Sequence, residues 1–161
     1  MIRPAATADA PAIAAIWNPV IRDTVITFNP VERTEAEITA LIAEAEARDW
    51  GFLVAETDGA VQGFARYFQF RGGLGYARSM EHTLYLHPQA QGRGLGDALM
   101  DALEAHARDR GRRMLIGGIT GDNAASLRFH ARRGYREVGR IPEAGWKFGR
   151  FHTLVLMQKL L

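Results

Sequence analysis

The chain has 161 residues, 47% apolar and 24% charged, an ordinary composition for a single folded domain spanning residues 1–161 with a sizeable core. Its formal net charge of +2 is too small to mark a nucleic-acid surface, and the lack of cysteine excludes a disulfide framework, a thiolate metal site and a cysteine nucleophile. No window approaches the roughly 18 apolar residues of a membrane span, so a cytoplasmic protein without membrane partners is expected.

Ile2 and Arg3 open a short strand, and Asp9 stands where it can cap a helix whose apolar positions Ile13, Ile16, Trp17, Val20 and Ile21 keep three-and-four spacing. Asn18-Pro19 is expected to bend or split that helix. A capping box, Thr34 with Glu37, starts a second helix that buries Ile38, Leu41, Ile42 and Ala45. From Trp50 the period changes to two, and GFLVAET and AVQGFARYFQF read as strands joined by an Asp-Gly turn. Met80 to Leu86 form another strand. A helix follows from Leu95 to Arg110, with Ala98, Leu99, Ala102, Leu103 and His106 along one side and Gly111 as its stop. A buried strand begins at Arg113, a further helix follows Asp122 and Asn123 and ends at Gly134, and strands near Tyr135–Gly139 and Phe151–Met157 close the chain. The Met80 and Arg113 strands flank a crossover helix and should be parallel, with the glycines of LYLHPQAQGRGLGDAL at the carboxyl end of the first. Ligands bind there in α/β sheets.

Three glycines on alternate positions at the start of a helix lower its stability, so they point to close approach of a ligand to the backbone. QGRGLGD is not a Walker loop, because Asp97 and Ala98 stand where Lys and Ser or Thr are needed. It is not a dinucleotide fingerprint either, since Asp97 occupies the third glycine position and no acid ends the next strand. What remains is a turn whose amides, at the positive end of a helix and beside Arg93, fit a pyrophosphate; the alternative is a tight strand-to-helix turn and nothing more.

Gln91, Gly94 and Gly96 match the Q/R-x-x-G-x-G/A loop of the GNAT superfamily of N-acetyltransferases. Together, MEHTLYLHPQAQGRGLG, GDNAASLRFHARRGY and GWKFGRFHTLVLMQ resemble the phosphinothricin and methionine sulfone/sulfoximine acetyltransferases over Ile2 to Met157. The resemblance implies an α/β fold whose mixed sheet, flanked by helices, splays open at its centre to admit acetyl-CoA as co-substrate. It implies that the backbone of Leu84, Tyr85 and Leu86 bonds the pantetheine arm. Gly92, Arg93, Gly94, Leu95, Gly96 and Asp97 would wrap the pyrophosphate behind Gln91, with Asn123 and Ser126 as further cofactor contacts. Asn123, at a helix start, can equally serve as that helix's cap. A homodimer is common in the family, and FGRFHTLVLMQKLL offers an apolar strand for an interface or for the core.

Acetyl transfer needs a neutral amine, yet an α-ammonium releases its proton only near pH 8 or above. A carboxylate whose own pKa is raised by burial can take that proton, and Glu81, on the strand leading into the glycine loop, is the candidate. A salt bridge from Glu81 to Arg78 is the plainer possibility. Period-two alternation sends Glu81, Thr83 and Tyr85 to one face and Met80, His82, Leu84 and Leu86 to the other. In the resembling enzymes the Glu-His pair lines the amino-acid site, so His82 and Thr83 join the expected acceptor contacts. His130 stands where many relatives place a tyrosine that protonates the leaving thiolate; it is either that acid or a packing residue against the pantetheine. Arg71 aligns with an arginine that grips the acceptor carboxylate, and Gly72 and Gly73 replace a bulkier pair after it, which implies a roomier pocket. No metal is expected. Acetylation of another amine (a polyamine, an aminoglycoside or a protein N-terminus) and acyl-CoA sensing without turnover are the alternatives.

Overall fold

Local signals in the sequence become elements close to where patterning places them, in a computed structural model that describes residues 1–161. In chain order these are β1 (Ile2–Pro4), α1 (Ala10–Asp23), α2 (Glu35–Ala47), β2 (Phe52–Thr57), β3 (Ala60–Gln69) and β4 (Ser79–Leu86). They are followed by α3 (Leu95–Asp109), β5 (Met114–Thr120), α4 (Ala124–Arg132), β6 (Arg136–Lys147) and β7 (Arg150–Leu160). The capping box forms as expected: the Glu37 amide donates to Thr34 Oγ1 at 3.2 Å while the Glu37 carboxylate accepts the Thr34 amide at 2.7 Å. Asp58 and Gly59 both take positive φ, 51° and 75°, as the tight turn between β2 and β3 requires.

Four local expectations are corrected. Asp9 does not cap α1; its carboxylate accepts the Ala6 amide at 2.7 Å and pairs with the Arg3 guanidinium at 2.8 Å, a tertiary ion pair that outcompetes the local bond. The first helix is not split at Pro19 but runs through it, because Ile13, Ile16, Trp17 and Ile21 are buried along its length. The buried face of α3 is Leu99, Met100, Leu103 and Ala107, rotated from the expected one, with Ala98 and Ala102 only half-buried. The last two strands are longer than expected, since Pro142 lies in an irregularity between Ile141 and Gly145 that the ladder spans.

The seven strands make one mixed sheet in the order β1-β2-β3-β4-β5-β7-β6. One face packs on α1 and α2 through Ile13, Ile38, Val54 and Phe64; the other packs on α3 through Leu99, Leu103, Leu115 and Val155. Only β4 and β5 are parallel, and their pairing stops at His82 opposite Gly117. Beyond that row the strands part. Thr83 to Leu86 keep β3 on one side and have no strand on the other, while Gly118 to Thr120 keep β7. The sheet is therefore two half-sheets, β1 to β4 and β5-β7-β6, joined over a short length at the middle.

Candidate active site

Where β4 and β5 part, a cleft of about 520 Å³ opens, floored by Thr83 to Leu86 and walled by Gly117, Gly118 and α4. Its far end is the glycine loop. Gly92 and Gly94 hold φ of 74° and 78°, and a side chain at either would meet nothing within 4 Å. The glycines are thus needed for their left-handed backbone and not for space. Gly94 begins α3 without a side-chain cap, and no backbone N–H from Gly92 through Asp97 finds an acceptor in the protein. Consecutive free amides at the positive end of a fifteen-residue helix can receive an anion such as a diphosphate.

Of the residues expected on the cofactor side, Leu84, Tyr85, Leu86, Gln91, Gly92, Gly96, Asn123 and Ser126 line the cleft. Arg93, Gly94, Leu95 and Asp97 do not; the first three complete the turn, and the Asp97 carboxylate is taken up by Arg133 of the α4 end at 2.9 Å. Asn123 does both things open to it: its side chain accepts the Ser126 amide at 3.1 Å, capping α4, and it faces the cleft. Arg128, Phe129 and Arg132 of α4 were not singled out from sequence, yet all three line the cleft. Their clue is the run RFHARR at three-and-four spacing after the Asn123 cap.

At the point of parting, the β4 side chains divide as alternation requires. His82 is buried toward α4, and its Nε2 lies 3.0 Å from Nε2 of His130. The His130 Nδ1–H donates to the Ser126 carbonyl at 2.8 Å, so its Nε2 accepts from His82. Both His130 ring nitrogens are thereby engaged within the protein. Burial lowers both pKa values, that of His82 to about 3 with His130 adding to the effect, so the pair is uncharged at neutral pH. Gly117 makes room for it: a methyl there would come 3.0 Å from His82 Cε1 and 3.5 Å from His130 Nε2.

On the opposite face, Glu81 is half-buried and forms neither a salt bridge with Arg78 nor a hydrogen bond with any other group. Burial pushes its pKa up. A methyl on Gly118 would come 3.5 Å from its Oε1, so the second glycine of β5 opens this face as the first opens the other. Two adjacent glycines inside a buried strand were the sequence signal for this room. Glu81 stands beside the cleft, between Thr83 and Gly118, and can accept a proton there. The arginine expected to grip an acceptor, Arg71, is exposed on the turn after β3, its guanidinium 6.0 Å from the Tyr76 ring, and lies outside the lining of the cleft. Gly72 and Gly73 lie on the same exposed turn, held by Gln69, whose amide donates to the carbonyls of Arg71 and Gly73 at 2.7 and 2.8 Å. A second cavity of about 280 Å³, absent from the sequence expectations, lies on the Glu81 face between β3, β4 and α1 and contains Arg33 and Arg66.

The family model described as "Acetyltransferase (GNAT) family" matches residues 17–135. An L-methionine sulfoximine/L-methionine sulfone acetyltransferase of Salmonella typhimurium is 37% identical over 98% of this chain and 92% of its own length. The solved phosphinothricin acetyltransferase of Sinorhizobium meliloti, in complex with acetyl-CoA, superposes with a TM-score of 0.95 at 30% identity, covering 100% of this chain and 88% of the other. A ribosomal-protein-alanine N-acetyltransferase structure from Brucella melitensis gives 0.97 at 36% identity, covering 100% and 99%.

Proposed function

Because the chain belongs to the GNAT acetyltransferase family and takes acetyl-CoA as its acyl donor, we propose that it acetylates the α-amine of a small amino acid of the methionine sulfone, methionine sulfoximine or phosphinothricin kind. The single observation that carries this is the half-buried, unpaired Glu81 carboxylate set beside the cleft one row before the sheet parts, for which the fold offers no structural partner. Glu81 takes the proton of the acceptor ammonium, directly or through water; the amine attacks the thioester carbonyl; the tetrahedral intermediate collapses as the carbon–sulfur bond breaks, and the leaving sulfur takes up the second proton that the attacking nitrogen sheds, giving the amide and free thiol. The free amides of the glycine loop hold the donor's diphosphate, Arg128 and Arg132 add positive charge at that end, and the unpaired edge of Thr83 to Leu86 bonds the pantetheine. With both nitrogens of His130 engaged, its role is to shape the thiol end of the cleft together with His82; protonating the thiolate would require it to leave Ser126 or His82.

Thiol release from acetyl-CoA, measured across free amino acids and their sulfone and sulfoximine derivatives, tests this. Turnover with an amino acid and none with polyamines or aminoglycosides is expected; turnover confined to a peptide N-terminus overturns the acceptor assignment. That second acceptor class is favoured by the likeness to the ribosomal-protein-alanine enzyme. We also propose a homodimer, supported by Trp146, Phe148 and Phe151 exposed together at the β6–β7 turn, with gel filtration coupled to light scattering as its check.

A further inference from the structure

The second cavity is built around a charge with no partner. Arg66 of β3 is only 6% exposed, yet its guanidinium makes no salt bridge and no hydrogen bond, and its Nε is wholly buried without an acceptor. Arg33, in the segment leading into α2, lines the same cavity with its own Nε buried and unpartnered. The two like charges are close enough that Arg33, after burial, helps drive the Arg66 pKa down. Aromatic faces hold both groups in place: the Arg33 Cζ lies 4.5 Å from the Trp17 ring centre, and that of Arg66 lies 4.9 Å from Phe68 and 5.5 Å from Phe52. Such stacking orients a guanidinium but leaves its in-plane N–H groups free, and burying the Nε–H of each unsatisfied is costly. A methionine or phenylalanine would fill the same space without that cost.

The position relates this charge to the chemistry. Arg66 is registered opposite Thr83, and Phe68 opposite Glu81, so Arg66 lies on the same face as the carboxylate, one cross-strand row away. Thr83 and Tyr85 border both this cavity and the main cleft. We propose that Arg66 and Arg33 form an oxyanion-binding subsite of the acceptor pocket, holding a carboxylate or phosphinate of the amino acid whose amine is presented to Glu81. It rests on the amino-acid reading above and names the groups that recognise the acceptor. The oxyanion is either the α-carboxylate or an acidic side-chain group; the chemistry of recognition is the same, planar N–H donors against paired oxygens.

The test compares wild type with Arg66→Met and Arg33→Gln at saturating acetyl-CoA, using L-methionine sulfone, its α-amide and phosphinothricin as acceptors. Each substitution is expected to raise the acceptor KM about tenfold to a hundredfold, leaving kcat and the acetyl-CoA KM within about twofold. A KM loss for the sulfone that is absent for its amide identifies the α-carboxylate; a loss for phosphinothricin alone identifies the side-chain anion. Unchanged KM for every acceptor in both variants overturns the subsite. Calorimetric titration with glutarate separates this from failure of the acceptor assignment: a wild-type chain that turns over no amino acid but binds glutarate, and loses it in either variant, keeps the anion site. A wild-type chain that binds no glutarate and turns over no amino acid removes it. Arg33→Gln, at a half-exposed loop position, keeps the test decisive should Arg66→Met fold poorly.

Discussion

The glycine loop and the Arg33–Arg66 cavity are both suited to anions, and they are made in opposite ways. The loop offers backbone amides without protein acceptors, from Gly92 through Asp97, on a turn whose leading residues Gly92 to Gly94 are exposed to solvent. The cavity offers side-chain charge inside the protein, with Arg66 almost fully withdrawn from solvent and in salt bridge with no carboxylate, Glu44 acting on it only at longer range. An empty loop costs the fold only the conformational freedom of its glycines. An empty arginine cavity holds desolvated charge at all times, so its cost is continuous and its geometry is preset. Glu81 lies between the two regions, where the proposed function has an amine held from one side meet a thioester held from the other.

Glu81→Gln removes the group that joins them and should produce the largest change, a fall in thiol release of about 10²- to 10⁴-fold with coenzyme A binding unaltered by calorimetry. With its pKa raised by burial, wild-type kcat/KM should decline on the acid side at a pH above the usual carboxylate range, and the variant should lose that limb. The same shift sets the sign for stability. A carboxyl whose folded pKa is raised stabilises the fold below its unfolded pKa and loses that contribution as pH rises through the folded value. Thermal melts should therefore show Glu81→Gln at least as stable as wild type at pH 7.

Gly94→Ala strikes the loop alone. A residue with a Cβ at φ of 78° is strained by about 1–2 kcal/mol, so the acetyl-CoA KM should rise about tenfold while the amino-acid KM stays put. Equal rises in both would break the division between the two regions. Gly117→Ala should cost about 1–3 kcal/mol in urea unfolding, because the new methyl crowds the His82–His130 pair. The smallest effect, about 1 kcal/mol and without consequence for turnover, is expected from Thr34→Ala, which removes the α2 cap next to Arg33.

Features set by neighbours in the chain were legible. Thr34 with Glu37, Asp58 with Gly59, the alternation of β4 and the left-handed glycines of the loop each need only a few adjacent residues to be recognised. Glu81 could be singled out because a carboxylate in a strand bordering such a loop has few structural uses. Features set by packing were not. Arg33 and Arg66 come together only when α1 and the segment after it fold against β3, and eighteen arginines in the sequence hide the two that line this cavity. Asp9 departs from its expected cap for the same reason, since it pairs with Arg3 of β1. Pro19 failed to break α1 because burial of four large side chains outweighs one lost backbone bond.

The short suture between β4 and β5 has a mechanical consequence. Four register rows, Ser79 to His82 against Met114 to Gly117, stitch one half of the sheet to the other, and beyond them no backbone pairing joins β4 to β5. On the proposed function, acetyl-CoA takes the place of a missing strand, and its thioester enters the seam as part of the same docking. Loading the donor should tighten the whole wedge before any amine enters, which favours an ordered sequence in which the acyl group comes first and the acceptor second.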